Sequence, residues 1–322
     1  MNRFHAAFVF VAITLSSPAL AQKQQPYPVK PIRLVVAFSP GGTPDTLARL
    51  IAPKIAENWK QPIVIENRTG AGGTIASAIV AKAPADGYTL LAHSNGFAIT
   101  AAITPNLSYD PKKDFVGVAS IGYSTTLLVV SPQLGVKSVK ELIALANAQP
   151  GKVFFGSAGA GSGTHLNAER FRMAAGIKAT HVAFKGQPEF LLEIVAGRVQ
   201  FGVAGLGPSM AHIKEGRLIP LAVVLPKRAP TLPDVPAAPE VLQGWGRDGL
   251  SQVWLAPTGT PRSIVNRLNK EVERVLALPD VKERLQSYDF HITPITPEDM
   301  DKQLHVDIDN FRKIGLAAGL IK

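Results

Sequence analysis

Cysteine is absent from all 322 residues. Thiolate nucleophiles, disulfides and cysteine-held metals are excluded with it, and the absence suits an oxidising compartment. Beyond the first twenty residues the chain has no apolar run near the roughly 20 residues that a membrane-spanning helix needs. Basic residues come in pairs or triplets at most, and aromatic residues are not interleaved with them. The formal charge of +10 therefore reads as a diffuse field that attracts small anions, not as a nucleic-acid surface. The seven histidines are scattered without metal-ligand spacing, so neither a metal nor a cofactor is expected.

What is present begins with an export signal. Arg3 and His5 precede an apolar run, Ala6 to Leu15, which Ser16, Ser17 and Pro18 break. Ala19-Leu20-Ala21 then fits a small-x-small cleavage site. Residues 1–21 are expected to be removed after Ala21, leaving a soluble periplasmic protein. No cysteine follows the site to carry a lipid anchor. The remaining length suits two domains of ordinary size.

Strand-like and helix-like segments alternate from there. Pro31 to Phe38 is a β-branched apolar run, and Asp45 to Trp59 carries Leu47, Ile51, Ile55 and Trp59 at helical spacing. Strands are expected at 62–66, 88–94, 127–131, 152–156, 179–184, 199–203, 220–225 and 252–256. Helices are expected at 74–82, 97–103, 138–148, 164–175, 188–196 and 209–215, the third opened by a Ser138-x-x-Glu141 capping box. The Pro-rich stretch 229–239 reads as an irregular loop. Thr260-Pro261 and Thr296-Pro297 open two further helices with apolar stripes. The fold class is α/β, with two mixed, mostly parallel sheets flanked by helices.

Two glycine-rich loops sit between a strand and a helix. The first runs from Ser39 through Gly41, Gly42 and Thr43 to Asp45. The second runs from Gly156 through Ser157, Gly159, Gly161, Ser162, Gly163 and Thr164 to His165. Glycine lets the backbone approach a guest closely. The unpaired N–H groups and positive dipole end of the following helix suit a carboxylate without any Arg or Lys. Thr43 could equally be the N-cap of a plain turn. Ser94-Asn95-Gly96 closes the third strand, where ligands of open α/β sheets gather, although Asn95 could equally cap the next helix. Walker, dinucleotide and nucleophile-elbow patterns all fail by one residue or more around the second loop.

Taken with these loops, a set of motifs resembles the Bug receptors, the substrate-binding proteins of tripartite tricarboxylate transporters. They are Tyr27-Pro28, Lys30-Pro31-Ile32-Arg33, Pro40-Gly41-Gly42, Glu66-Asn67-Arg68, Gly70-Ala71-Gly72-Gly73 and Asp86-Gly87-Tyr88-Thr89-Leu90. Lys185-Gly186, His212-Ile213-Lys214, Leu232-Pro233-Asp234-Val235-Pro236 and Leu255-Ala256-Pro257 follow. The resemblance implies a two-lobed flytrap fold, with residues 22–124 and 251–322 in lobe 1 and 125–250 in lobe 2. It also implies a monomeric, non-enzymatic receptor that passes a carboxylate to integral membrane subunits.

Three departures stand out. Pro44 follows Thr43, where the family usually has Thr. Ala204 stands where the family often has Asp, and Phe184 where it often has Tyr. These imply a guest with an apolar or aromatic body, such as terephthalate, over an α-amino acid. A receptor that reports to a sensor kinase is the alternative. A hydrolase using Ser157, Ser162 and His165 is the remoter one.

Overall fold

The computed structural model describes residues 27–246, 249–317 and 321; the signal sequence expected at residues 1–21 lies outside them. Strands β1 (Ile32–Val36), β2 (Ile63–Asn67) and β3 (Thr89–Ser94) alternate with helices α1 (Thr43–Trp59), α2 (Thr74–Ala81) and α3 (Gly96–Ile103). β4 (Phe115–Ser124) and β5 (Thr126–Val130) are separated by one residue. Next come α4 (Val139–Ala148), β6 (Phe154–Ser157), α5 (Gly163–Ala174), β7 (Thr180–Ala183) and α6 (Gln187–Val195). β8 (Phe201–Gly205), α7 (Leu206–Lys214), β9 (Ile219–Val223) and a short α8 (Ala238–Val241) complete the middle of the chain. The last part holds β10 (Leu250–Pro257), α9 (Arg262–Leu276), α10 (Pro279–Gln286), β11 (Phe290–His291) and α11 (Pro297–Ala317).

Two sheets result, and each anchors one lobe. The first has the order β11-β4-β10-β3-β1-β2 and the second β7-β6-β8-β5-β9. β1 shows why its residues form a strand buried on both faces. Ile32, Leu34 and Val36 enter one apolar cluster, while Val35 enters another on the opposite face. Phe155, Phe171 and Phe201 build the core on one face of the second sheet.

The expectation of mostly parallel sheets needs correction. Among the named strands, parallel pairing is limited to β1 with β2 and β3, and to β6 with β7 and β8. β10 is antiparallel to β3 and β4, β11 to β4, and β5 to β8 and β9. The cause is the chain's route. It passes from the first sheet to the second at Thr125 and returns before β10, so the two passes run side by side in opposite directions, with Leu250 opposite Ser124. Thr125 is fully buried at this crossing. Its hydroxyl lies 2.8 Å from the Asp289 carbonyl and 3.0 Å from the Asp289 carboxylate.

β4, the longest strand, had no counterpart in the sequence reading, because two glycines interrupt its apolar pattern. Both are required by packing. A Cβ on Gly117 would stand 2.7 Å from Met300 Cγ, and one on Gly122 would stand 2.0 Å from the His291 carbonyl oxygen. The register shifts beside Gly122, as at a β-bulge. The expected irregular loop 229–239 differs slightly too: Ala237 bridges to Val223 and α8 begins at Ala238.

The end of β6 is backed by a ring stack. His181 lies 5.0 Å from Phe155 and 4.0 Å from His165 between ring centroids. Burial holds both imidazoles down to about 4, the second cause being Arg172 for His165 and His165 itself for His181. His93, fully enclosed beneath α3, is likewise held at about 4 by burial. Each of these histidines takes a proton near its ordinary value of 6.5 when unfolded, but only near 4 when folded. The unfolded chain therefore binds more protons in that window, so stability rises with pH across it. The melting temperature should be level above about pH 6.5 and fall steadily towards pH 4. A profile flat from pH 7 to 4.5 would show that the three rings titrate normally.

Candidate functional site

The first loop folds most of its own amides inward. Gly41, at φ +81°, donates its N–H to Asp45 Oδ2 at 2.9 Å, and Gly42 N–H reaches the Ser39 carbonyl at 3.2 Å. Asp45 is buried and also accepts from Arg49 Nε and from Asn67 Nδ2, both at 2.9 Å. Burial works to raise its carboxyl. The bonds from Arg49, Gly41 and Asn67 outweigh that effect and hold it below the usual carboxylate range. Asp45 is thus a clamp that shapes the loop from behind. Thr43 does not cap α1, as the plain-turn reading would have it. The N-cap is Gly42, and Thr43 Oγ1 is buried with no protein partner. Pro44 has no N–H, so the free donors at this helix start are the amides of Thr43 and Asp45.

The second loop follows the same logic. Ser162 caps α5, its Oγ accepting from His165 N–H at 3.2 Å. Thr164 Oγ1 accepts from Ala158 N–H at 2.9 Å and lies 3.0 Å from Ser162 Oγ. Gly159 N–H turns to Ser157 Oγ, and Gly161 N–H to His165 Nδ1, both at 3.2 Å. The amides of Gly163 and Thr164 remain free at the helix start. His165 therefore braces the loop. The hydrolase pairing fails here, since the imidazole of His165 reaches neither serine hydroxyl. Ser157 Oγ does lie 2.7 Å from His181 Nε2, but Ser157 is fully enclosed.

At the end of β3, Ser94 Oγ accepts from Gly96 N–H at 3.1 Å. Asn95 makes no side-chain cap, and its Oδ1 is buried without a protein partner. A Cβ on Gly163 would come within 2.5 Å of that oxygen. Glycine at 163 is what lets the starts of α3 and α5 approach each other.

These segments meet around one cavity of about 30 Å³. Six of the sixteen candidates line it: Gly42, Thr43, Ser94, Ser162, Gly163 and Thr164. Pro44 is on the wall too, as are Phe38, Ala158, Gln187, Leu250 and Gln252, which the sequence reading did not single out. Ser39, Gly41, Asp45, Ser157, Gly159, Gly161 and His165 stand behind the wall as its supports, and Asn95 stands beside it. Phe184 and Ala204 do not line it either; Ala204 is fully buried in β8. Lys185-Gly186 was a signal for Gln187, the next residue. Gln187 bonds both backbone groups of Gly205, at 3.1 and 3.0 Å, and so fixes the end of β8. Gln252 carried no signal beyond its place in a strand.

Among the described residues no charged side chain lines the cavity. Its volume is about that of one water molecule, because the lobes are in contact around it. Ser39 Oγ donates to Glu189 Oε1 at 2.5 Å across the gap. A Cβ on Gly186 would meet Ser39 Cβ at 2.6 Å, and one on Gly72 would meet the Ala160 carbonyl oxygen at 2.2 Å. A carboxylate of several heavy atoms requires the lobes to part.

Comparison with known proteins agrees with this architecture. The pattern described as tripartite tricarboxylate transporter family receptor matches residues 47–315. The UPF0065 protein in the tcbD-tcbE intergenic region of Pseudomonas sp. (strain P51) is 34% identical over 309 residues, 96% of this chain and 92% of that protein. Among solved structures, Rpa4515 of R. palustris with adipate superposes with a TM-score of 0.87 at 35% identity, covering 91% of this chain and 99% of that one. MatC (Rpa3494) from Rhodopseudomonas palustris with bound malate gives 0.83 at 30% identity, covering 89% and 99%. The chain belongs to the tripartite tricarboxylate transporter receptor family, a family of receptors and not of enzymes.

Proposed function

We propose that this chain is a periplasmic receptor that captures a small carboxylate between its lobes and delivers it to the membrane subunits of a tripartite tricarboxylate transporter. The observation that carries the reading is the pair of helix starts. Free amides of α1 (Thr43) and of α5 (Gly163, Thr164) stand at the same chargeless cavity. Main-chain donors and helix dipoles hold an anion there without a cationic side chain. No helix among the described residues is long and apolar enough to cross a membrane. The bound adipate and malate of two related structures support a carboxylate guest.

The apolar wall gives the finer reading. Phe38, Pro44, Ala158 and Leu250 favour a guest with an apolar or aromatic body, such as terephthalate. No lining carboxylate is present to hold an ammonium group, which disfavours an α-amino acid. Binding draws the lobes together only to the extent that the guest prefers the closed form. Two loops on separate lobes supply that preference.

Three experiments test this. Calorimetric titration with terephthalate, benzoate, adipate, citrate and glutamate is expected to show carboxylate binding, with glutamate weaker than the carboxylates that lack an ammonium group. Glutamate as the tightest guest would overturn the argument from the chargeless wall. Thr43→Ala should weaken the best guest by about 1 kcal/mol at an unchanged melting temperature, since the hydroxyl bonds nothing in the fold. Thr164→Ala should lower the melting temperature as well, because Ala158 N–H loses its acceptor; equal effects of the two variants would refute this division. Gly72→Ala should weaken every guest by a similar factor, since its methyl group strikes the opposite lobe. A reordered preference would place residue 72 at the guest instead.

A further inference from the structure

Gln252 lies in β10, is 2% exposed and lines the cavity. Its side-chain nitrogen donates to the Leu250 carbonyl at 3.0 Å. That bond fixes the orientation of the amide, because the opposite flip would set two acceptor oxygens against each other. Oε1 is the remaining polar atom of the side chain, buried and without a protein donor among the described residues.

The rest of the wall is built the other way round. The free amides of Thr43, Gly163 and Thr164 are donors only, and the hydroxyls of Thr43 and Ser94 can donate. An unsubstituted carboxylate carries acceptors alone. It satisfies the helix starts and leaves Gln252 Oε1 unpaired, at the full desolvation penalty of a buried acceptor. A guest with a hydroxyl near its carboxylate brings the missing donor. An ammonium group would also donate, but it carries a charge that no lining side chain neutralises.

We propose that Gln252 is a specificity-determining residue, and that through it this receptor prefers hydroxylated carboxylates to carbon-matched carboxylates lacking the hydroxyl. The proposal rests on the carboxylate reading above and adds a requirement to it. Sites that hydrogen-bond a guest hydroxyl reject the analogue without it far more strongly than apolar pockets reject a missing methylene.

Matched pairs of two sizes test the idea, so that the size of the guest does not decide the outcome. Succinate is compared with malate, and terephthalate with 2-hydroxyterephthalate, by calorimetric titration of the full mature chain. Aspartate serves as the amino counterpart of malate. The hydroxylated member of each pair that binds is expected to be tighter by about tenfold or more, with aspartate weaker than malate. In Gln252→Met, which keeps the length of the side chain and removes the acceptor, that ratio is expected to fall to within about twofold. The wild-type ratios alone decide the matter should the variant not fold. Equal affinities within the pairs, tighter aspartate than malate, or a folded Gln252→Met that keeps the full preference would each overturn the role of Gln252 and leave the carboxylate reading standing. Binding by none of these five compounds, nor by adipate, citrate or benzoate, would overturn both.

Discussion

Two helices direct their amide ends into one small space, and this arrangement governs the molecule. The positive ends of α1 and α5 repel each other mildly across the cavity. Each leaves main-chain donors that its own helix cannot satisfy. The carboxylate of the proposed function, set between them, would relieve both problems together, so that attraction to the guest and attraction between the lobes become one interaction. A cationic side chain on the wall would have served a single lobe. In the proposed receptor, amides contributed from both sides make capture and closure inseparable.

The loops are built to protect that arrangement. Glycines at 41, 159 and 161 take left-handed conformations and turn nearby amides onto local acceptors. Asp45 and His165 take two of those bonds, which is why both are enclosed behind the wall. An apolar cluster runs from Val35, Phe38 and Phe97 in one lobe to Leu127, Phe190 and Leu206 in the other. The seat between the lobes is therefore continuous with a hydrophobic core.

Much of this was legible in the sequence. The βα grammar, the Ser138 N-cap (though the Glu141 carboxylate accepts from Lys137 N–H and so does not complete the expected box) and both glycine loops follow from spacing and residue type, and the family follows from its motifs. The finer division within each loop was not legible. Whether an amide faces a guest or a neighbouring side chain depends on partners distant in sequence, as with Asn67 on Asp45 or His181 beside Ser157. β4 was hidden because Gly117 and Gly122 serve tertiary packing and break the pattern that marks a strand. Gln252 was hidden for another reason. A glutamine in an apolar strand carries no motif, and its meaning lies in a single oxygen left over once Leu250 has taken the nitrogen.

The bond from Ser39 to Glu189 has a wider consequence. It joins the lobes and involves no guest. Contacts of that kind set how often the jaws meet spontaneously, and they multiply the apparent affinity of every guest by one common factor. Evolution could thus retune such a receptor for scarce or abundant nutrients at this serine and glutamate, while the chemistry that tells one nutrient from another stayed untouched.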